Sequence, residues 1–173
     1  MSDVPGPPAT SSLPDPAPGF RVERAAFAEL RQVAAIQRQS FRRGLAYGYF
    51  QLLLLWLLPN VTFLVAKTGW GIIAGCLIAD RYRGDVRVVN LAIDPGFRRQ
   101  GVGRLLLRDI QQRIPDGHVT LIVEEFNEPA KTLYKSEGFV ETGTAQHYYG
   151  RRRNGIWMRK ERPGGSPAGK IFV

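Results

Sequence analysis

The sequence predicts a single α/β domain built on one mixed sheet, and three observations predict it. Three strand-like runs, 61–67, 72–80 and 86–93, are joined by the short glycine-containing turns KTGWG and RYRGD, the pattern of an antiparallel meander. The third run passes through a glycine pair into helical periodicity and then into another strand, 118–123, which implies a parallel, right-handed crossover. The chain has 173 residues, 44% of them hydrophobic, which suits one core with tails.

In chain order, residues 1–18 hold six prolines and almost no bulky side chains, so they cannot bury enough surface to offset ordering and read as a disordered tail. FRVERA, 20–25, alternates as a strand, and residues 27–39 place Leu30, Val33, Ala34 and Ile36 at helical spacing. From Gly44 to Ala66 there are 23 residues without a charge, long enough to span a bilayer, but Pro59-Asn60 divides them. Residues 45–58 then read as a buried helix and 61–66 as a strand; the competing reading of 45–58 is a membrane-contacting or dimerising helix. Asp94-Pro95-Gly96 closes the strand 86–93. Val102, Leu105, Leu106, Ile110 and Ile114 mark one face of a helix that Pro115 stops. After 118–123, Asn127 can cap a helix with Pro129 in its first turn, ending at Gly138. FVETGTAQHYY (139–149) and GIWMRK (155–160) read as two closing strands. Residues 163–173 read as a second loose tail, which leaves the domain at 19–162.

The net charge of +9 suits nucleic acid, an anionic membrane surface or a polyanionic cofactor, and equally a compositional bias toward arginine. No aromatic-basic motif or helix-turn-helix pattern supports specific nucleic-acid binding. A single cysteine, Cys76, excludes an internal disulfide and fits a reducing compartment; with only His118 and His147, far apart in the chain, no metal is assigned. The amino terminus lacks the basic start and apolar run of a signal peptide, so a cytoplasmic protein is expected.

The segment DPGFRRQGVGRLLL, 94–107, stands between the end of a strand and the start of a helix. The first N–H groups of a helix have no internal partners, and the dipole makes that end positive. Gly101 and Gly103 let the backbone approach an anion, and Arg98, Arg99 and Arg104 add donors suited to phosphate. Taken alone, the segment reads either as a phosphate seat or as an ordinary basic turn. It is not a nucleotide P-loop, since no Gly-Lys-Ser/Thr follows, and it lacks the third glycine of a dinucleotide fingerprint.

A second motif decides between the two. Asn127, Ala130, Leu133, Tyr134, Gly138 and Phe139 spell N-x-x-A-x-x-L-Y-x-x-x-G-F, beginning 24 residues after Gly103. Together with R-x-x-G-x-G after VVNLAI, it resembles the GNAT superfamily of acyl-CoA-dependent N-acyltransferases over residues 20–160. Within that superfamily the chain looks most like the ribosomal-protein N-terminal (alanine) acetyltransferases. The resemblance implies a GNAT-type mixed, mostly antiparallel sheet, splayed between the fourth and fifth strands and flanked by about four helices. It implies acetyl-CoA as co-substrate and no metal. The backbone of Leu91, Ala92 and Ile93 would pair with the pantetheine arm as an added strand. The amides from Arg98 through Arg99, Gln100, Gly101 and Val102 to Gly103 would hold the pyrophosphate, with Arg104 beside them. Asn127 would lie near the pantetheine, and Tyr134 would be the acid or hydrogen-bond donor to the departing sulfur. Without the resemblance, Asn127 reads as a helix cap and Tyr134 as a core aromatic.

The chain departs from the family at the base. Related enzymes place a glutamate five residues before the motif asparagine, where this chain has Ile122. Glu124, two residues on and on the same strand face, either replaces it from a shifted position or pairs with a nearby arginine. An α-amine has a pKa near 8, whereas neutralising a lysine amine near pH 7.4 costs about 4 kcal/mol. A site without an evident base therefore favours a protein or peptide N-terminus, with a small amine as the second candidate and a non-catalytic CoA-binding module as the third. In the resembling enzymes tyrosines at the place of Tyr148 and Tyr149 line the acceptor groove; by strand alternation, one would instead pack inward and the other face solvent. Arg151, Arg152 and Arg153 either meet an acidic acceptor or stay solvated. Membrane contact is not expected, and a homodimer through 45–58 is left open.

Overall fold

The computed structural model describes residues 19–42, 44–82 and 84–162; the two segments read as tails, 1–18 and 163–173, lie outside them. In chain order the elements are β1 (Phe20–Arg24), α1 (Leu30–Ser40), α2 (Tyr49–Leu57), β2 (Val61–Thr68), β3 (Ile73–Tyr82), β4 (Asp85–Ile93), α3 (Val102–Arg113), β5 (Val119–Glu124), α4 (Glu128–Ser136), β6 (Val140–Ala145) and β7 (Gly155–Lys160). The seven strands form one sheet in the order β1-β2-β3-β4-β5-β7-β6. The pair β4–β5 is parallel and the other five pairings are antiparallel. This is the expected succession of elements; the insertion of β7 between β5 and β6 had no signature in the sequence.

Strand alternation sends side chains to both faces of the sheet, and helices cover both. On one face, Val102, Leu106, Leu107 and Ile110 of α3 pack with Leu64, Leu77, Val86, Leu121 and Tyr134. On the other, Leu30, Val33 and Ile36 of α1 and Leu52 of α2 pack with Phe63, Val65, Cys76 and Ile78. Leu107 is fully buried and Leu105 only partly so, a one-position rotation of the apolar face expected for α3.

Two features of β4 position the site. Ile78 pairs with Asn90 but Ala79 pairs with Val88, so Val89 is an extra residue, a β-bulge. Before the bulge, Val86 and Val88 face α3; after it, Ala92 faces α1 and α2. The bulge thus re-aims the second half of the strand. Secondly, β4 and β5 are in register only at Val86–Val119, Arg87–Thr120 and Val88–Leu121. Beyond the bulge the two strands part, which is the expected splay.

Two expectations need correction. The helix read over 45–58 begins only at Tyr49, because Gly44, with φ 89°, and Gly48, whose N–H is taken by Gln51 Oε1 at 2.8 Å, keep the preceding residues in turns. Nor is it a buried helix. Leu52 is its one fully buried residue, whereas Phe50 is 82% exposed and Leu54 64%. A charge-free stretch reports how apolar a helix is, not how many of its faces meet a neighbour. Among the described residues no helix is long and apolar enough to cross a membrane. The strand expected over 139–149 stops at Ala145. His147 (φ 57°), Gly150 (φ 111°) and Arg152 (φ 61°) are left-handed and curl the chain into turns, so Tyr148 and Tyr149 sit on a β6–β7 turn rather than on a strand.

Between α3 and β5, Gly117 has φ +76°, and a Cβ there would lie 2.0 Å from the Gly84 carbonyl oxygen. Gly117→Ala is expected to cost about 2–3 kcal/mol in urea denaturation, from left-handed strain and backbone overlap together.

Candidate active site

The loop between β4 and α3 is shaped by its own short-range hydrogen bonds. Asp94 Oδ1 accepts from the Gly96 N–H at 2.9 Å, and Gln100 Nε2 donates to the Gly96 carbonyl at 3.1 Å. Arg99 (φ 63°) and Gly101 (φ 78°) are both left-handed, a pattern that turns successive N–H groups toward a common point. Gly101 caps α3, and the helical ladder starts with Leu105 N–H donating to the Gly101 carbonyl at 3.0 Å. The N–H groups of Val102 and Gly103 therefore precede the ladder and open toward the loop. α3 and α4 meet closely at Gly103, where a Cβ would stand 3.0 Å from Leu133 Cδ2. Arg98 and Arg99 are exposed at the rim.

Arg104 does not join them, which corrects its assignment as a phosphate-side donor. Its guanidinium points into the α3–α4 interface, where Nε lies 2.8 Å from Glu137 Oε1 and Nη2 donates to Ser136 Oγ at 3.2 Å. It lies one helical turn past the cap, on the same face as Leu107, and only the packing of α4 reveals which way it points.

Past the bulge, β4 presents an open edge. Asp94 N–H donates to the Ala74 carbonyl on β3 at 2.9 Å. Antiparallel alternation then turns Ala92 toward β3 and the N–H and C=O groups of Leu91 and Ile93 toward the gap before β5. Ser40 Oγ, at the end of α1, donates to the Ile93 carbonyl at 3.0 Å.

This gap opens into a cleft of about 450 Å³. Val88 to Leu91 line one wall and Leu121 to Glu124 the other. Asn127, Ala130 and Tyr134 also line it, as do Arg42, Leu45 and Tyr47 of the α1–α2 connection and Tyr148, Tyr149 and Arg153 of the β6–β7 turn. The cleft includes Leu91, Asn127, Tyr134, Glu124, Tyr148 and Tyr149 of the sequence-predicted site; the glycine loop lies outside it, at the start of α3.

Tyr134 is 8% exposed and packs its ring against Phe139 at 5.8 Å. Burial pushes its phenol above the ordinary value, so it is protonated at any working pH. Asn127 Oδ1 accepts from Ala130 N–H at 3.3 Å, so this residue does cap α4. The Glu124 carboxylate is ion-paired with Arg153. The Tyr149 hydroxyl donates to the Ile122 carbonyl at 3.0 Å, and its own acidity is suppressed, first by burial. Tyr148 is more than half exposed and meets the Tyr149 ring edge-on at 5.0 Å.

Residues 59–141 match the family model described as an acetyltransferase (GNAT) domain. Those residues carry a GNAT acetyltransferase domain. A curated relative, the [ribosomal protein bS18]-alanine N-acetyltransferase of Salmonella typhimurium, is 38% identical over 68 residues, which are 38% of this chain and 46% of that protein. The chain spans less than half the length of the curated relatives it matches. Among solved structures, the ribosomal-protein-S18-alanine N-acetyltransferase of Escherichia coli superposes with a TM-score of 0.73 at 20% identity, covering 89% of this chain and 99% of that one. The PaiA N-acetyltransferase of Thermoplasma acidophilum, in complex with coenzyme A, superposes at 0.71 and 15% identity, covering 83% and 99%. At such identities the two structures speak for the fold.

Around this GNAT domain the structure adds residues that the motifs did not mark. Gln37 and Asn90 are buried and bonded to each other through Gln37 Nε2 to Asn90 Oδ1 at 2.6 Å and Asn90 Nδ2 to Gln37 Oε1 at 3.2 Å, which ties α1 to β4 beside the bulge. Their signal was present: each is a polar residue inside an apolar stripe, Gln37 one turn after Val33 and Asn90 within VVNLAI. Ser40 ends α1, Arg42 and Tyr47 lie in the connection that follows, which has no periodicity, and nothing in the sequence pointed to them. The one cysteine of the GNAT domain, Cys76, is buried, with its thiol pushed up to about 12 by that burial and Gln37 Nε2 3.4 Å away. It has neither the exposure nor the charge state of a nucleophile.

Proposed function

We propose that this protein transfers an acetyl group from acetyl-CoA directly to a primary amine, and that the amine is the α-amino group of a protein or peptide. The observation that carries the reading is the parting of β4 from β5 beyond Val88 and Leu121, with Tyr134 buried at the gap. The residues present fit the co-substrate. Beyond Val88, Leu91 and the Ile93 N–H offer strand edge that β5 does not pair with, open to an amide-bearing arm as an added strand would use it, while the Ile93 carbonyl accepts from Ser40 Oγ. The amides around Gly101 and the first turn of α3 suit a diphosphate, with Arg98 and Arg99 adding charge.

Acetyl-CoA supplies an acetyl thioester. The neutral acceptor nitrogen forms the new C–N bond as the C–S bond breaks, the amine proton leaves to solvent or to a base, and the Tyr134 hydroxyl donates to the departing sulfur. Glu124 is a base only if it releases Arg153. An α-amine with a pKa near 8 reduces that requirement, because much of it is already neutral at working pH. The neutral, buried Cys76 favours direct attack over an acyl-enzyme.

Mass spectrometry of N-terminal peptides incubated with the protein and acetyl-CoA tests the reading; persistent absence of acetylated peptide defeats it. The glycine loop has its own test. Gly101→Ala forces a side chain into left-handed backbone at a cost of about 1–2 kcal/mol. The expected result is an acetyl-CoA KM raised about tenfold with kcat little changed.

A further inference from the structure

Two segments, the α1–α2 connection and the β6–β7 turn, bring cationic side chains to the cleft. Arg42 and Arg153 line it. Arg151 and Arg152 stand exposed beside Arg153 on the same turn. Glu124 is the carboxylate that lines the cleft, and it is paired with Arg153. Glu125, next along, is also engaged: its Oε1 accepts from Asn154 N–H at 3.2 Å and its Oε2 from Asn154 Nδ2 at 3.0 Å. Among the described residues no carboxylate pairs with Arg42, Arg151 or Arg152. An entering peptide therefore meets a concave surface where positive charge exceeds negative, with low-dielectric walls that concentrate the field.

On the reading of the site as an α-amine acetyltransferase, we propose that its preferred acceptors are amines carrying a carboxylate in the residues next to the α-amino group: acidic N-terminal segments, held by Arg42 and by Arg153. Two consequences of the same charge act together. Guanidinium groups are forked donors matched to carboxylates, so an aspartate or glutamate near the amine gains charge-assisted hydrogen bonds. Cations around the amine also disfavour its ammonium form, which raises the neutral fraction that can attack. The second effect supplies part of what a glutamate base at Ile122 would have supplied. An acidic acceptor that competes for Arg153 also loosens the hold on Glu124 and leaves its carboxylate able to take the amine proton. Lysine or arginine in the leading positions meets like charge and is disfavoured.

The test compares peptides identical except for Asp, Ala or Lys at positions 2 and 3. Acetylation is followed by thiol release, and binding by fluorescence anisotropy in the presence of coenzyme A. The expected result is a kcat/KM about tenfold higher for Asp than for Ala and lower again for Lys, with the spread narrowing as salt is raised. Arg42→Ala should shrink the preference, Arg42→Lys should retain most of it, and Arg42→Glu should shift it toward Lys; Arg42 is exposed, so these variants should fold. Free aspartate and glutamate form a second arm: preferential acetylation of the free amino acids would assign the same chemistry to small acidic amines. Charge-selective binding without turnover would keep this proposal and defeat the transferase reading. Equal kcat/KM and equal binding for all three peptides, or an unchanged preference in Arg42→Glu, would overturn it.

Discussion

Tyr134→Phe is expected to lower kcat by about a hundredfold while leaving the acetyl-CoA KM within about twofold of its original value. The substitution removes one oxygen and little else. The ring stays packed against Phe139, and the residue is nearly buried, so neither the core nor the walls of the cleft change shape. In the proposed mechanism, what is lost is the donor at the place where charge develops on sulfur, an interaction made in the transition state rather than in the bound ground state. The pH dependence follows from the direction of the tyrosine's shift. Burial raises its pKa above 10.0, so the donor stays protonated across the working range and contributes no falling limb there. The rate should climb as pH rises through the acceptor's pKa and then level off, in parent and variant alike. Thiol-release kinetics with a reactive peptide, together with a melting curve, measure all of this. A variant of unchanged kcat would remove Tyr134 from the chemistry and leave it as a core aromatic.

Glu137→Ala is expected to destabilise the fold by about 3–5 kcal/mol. Glu137 ends α4 with its carboxylate 4% exposed, and it serves two arginines of α3. Arg104 is 9% exposed and depends on it for charge compensation; Arg108, 45% exposed and 3.1 Å away, is already partly hydrated and loses little. Removing the carboxylate leaves the Arg104 guanidinium buried with its counter-charge gone. Denaturant titration should therefore show a large fall in midpoint, whereas Arg108→Ala should cost under about 1 kcal/mol. Replacing Arg104 and Glu137 together by Met and Leu should recover most of the loss, since the buried charge goes with its partner. The pair also bears on function. It joins the helix whose first turn follows the glycine loop to the helix that carries Tyr134. Loosening it should lower kcat/KM at temperatures where the protein is still folded.

Arg104 also shows where inference from the linear chain stopped. Next to Gly101 and Gly103 in a basic segment, it reads as a phosphate ligand; one more residue of helix rotates it onto α4 instead. Tyr148 and Tyr149 likewise read as neighbours on a strand until three left-handed residues turn that strand into a loop. By contrast, the succession of strands and helices, the glycine pair at the head of α3 and the asparagine cap of α4 were legible, because each follows from the covalent properties of a few adjacent residues: periodicity, a missing Cβ, a short side chain that reaches its own backbone.

The sequence by itself thus determined the element order, the two motifs and the place of the bulky apolar faces. The tertiary structure decided which of those faces α2 leaves exposed, which way the second half of β4 points after its bulge, and which arginines reach a carboxylate inside the protein and which face an entering substrate. Those outcomes depend on contacts between residues tens of positions apart, such as Arg104 with Glu137 and Gln37 with Asn90. Local propensity and hydrophobic pattern place residues along an element and around it, but they carry no information about what lies opposite.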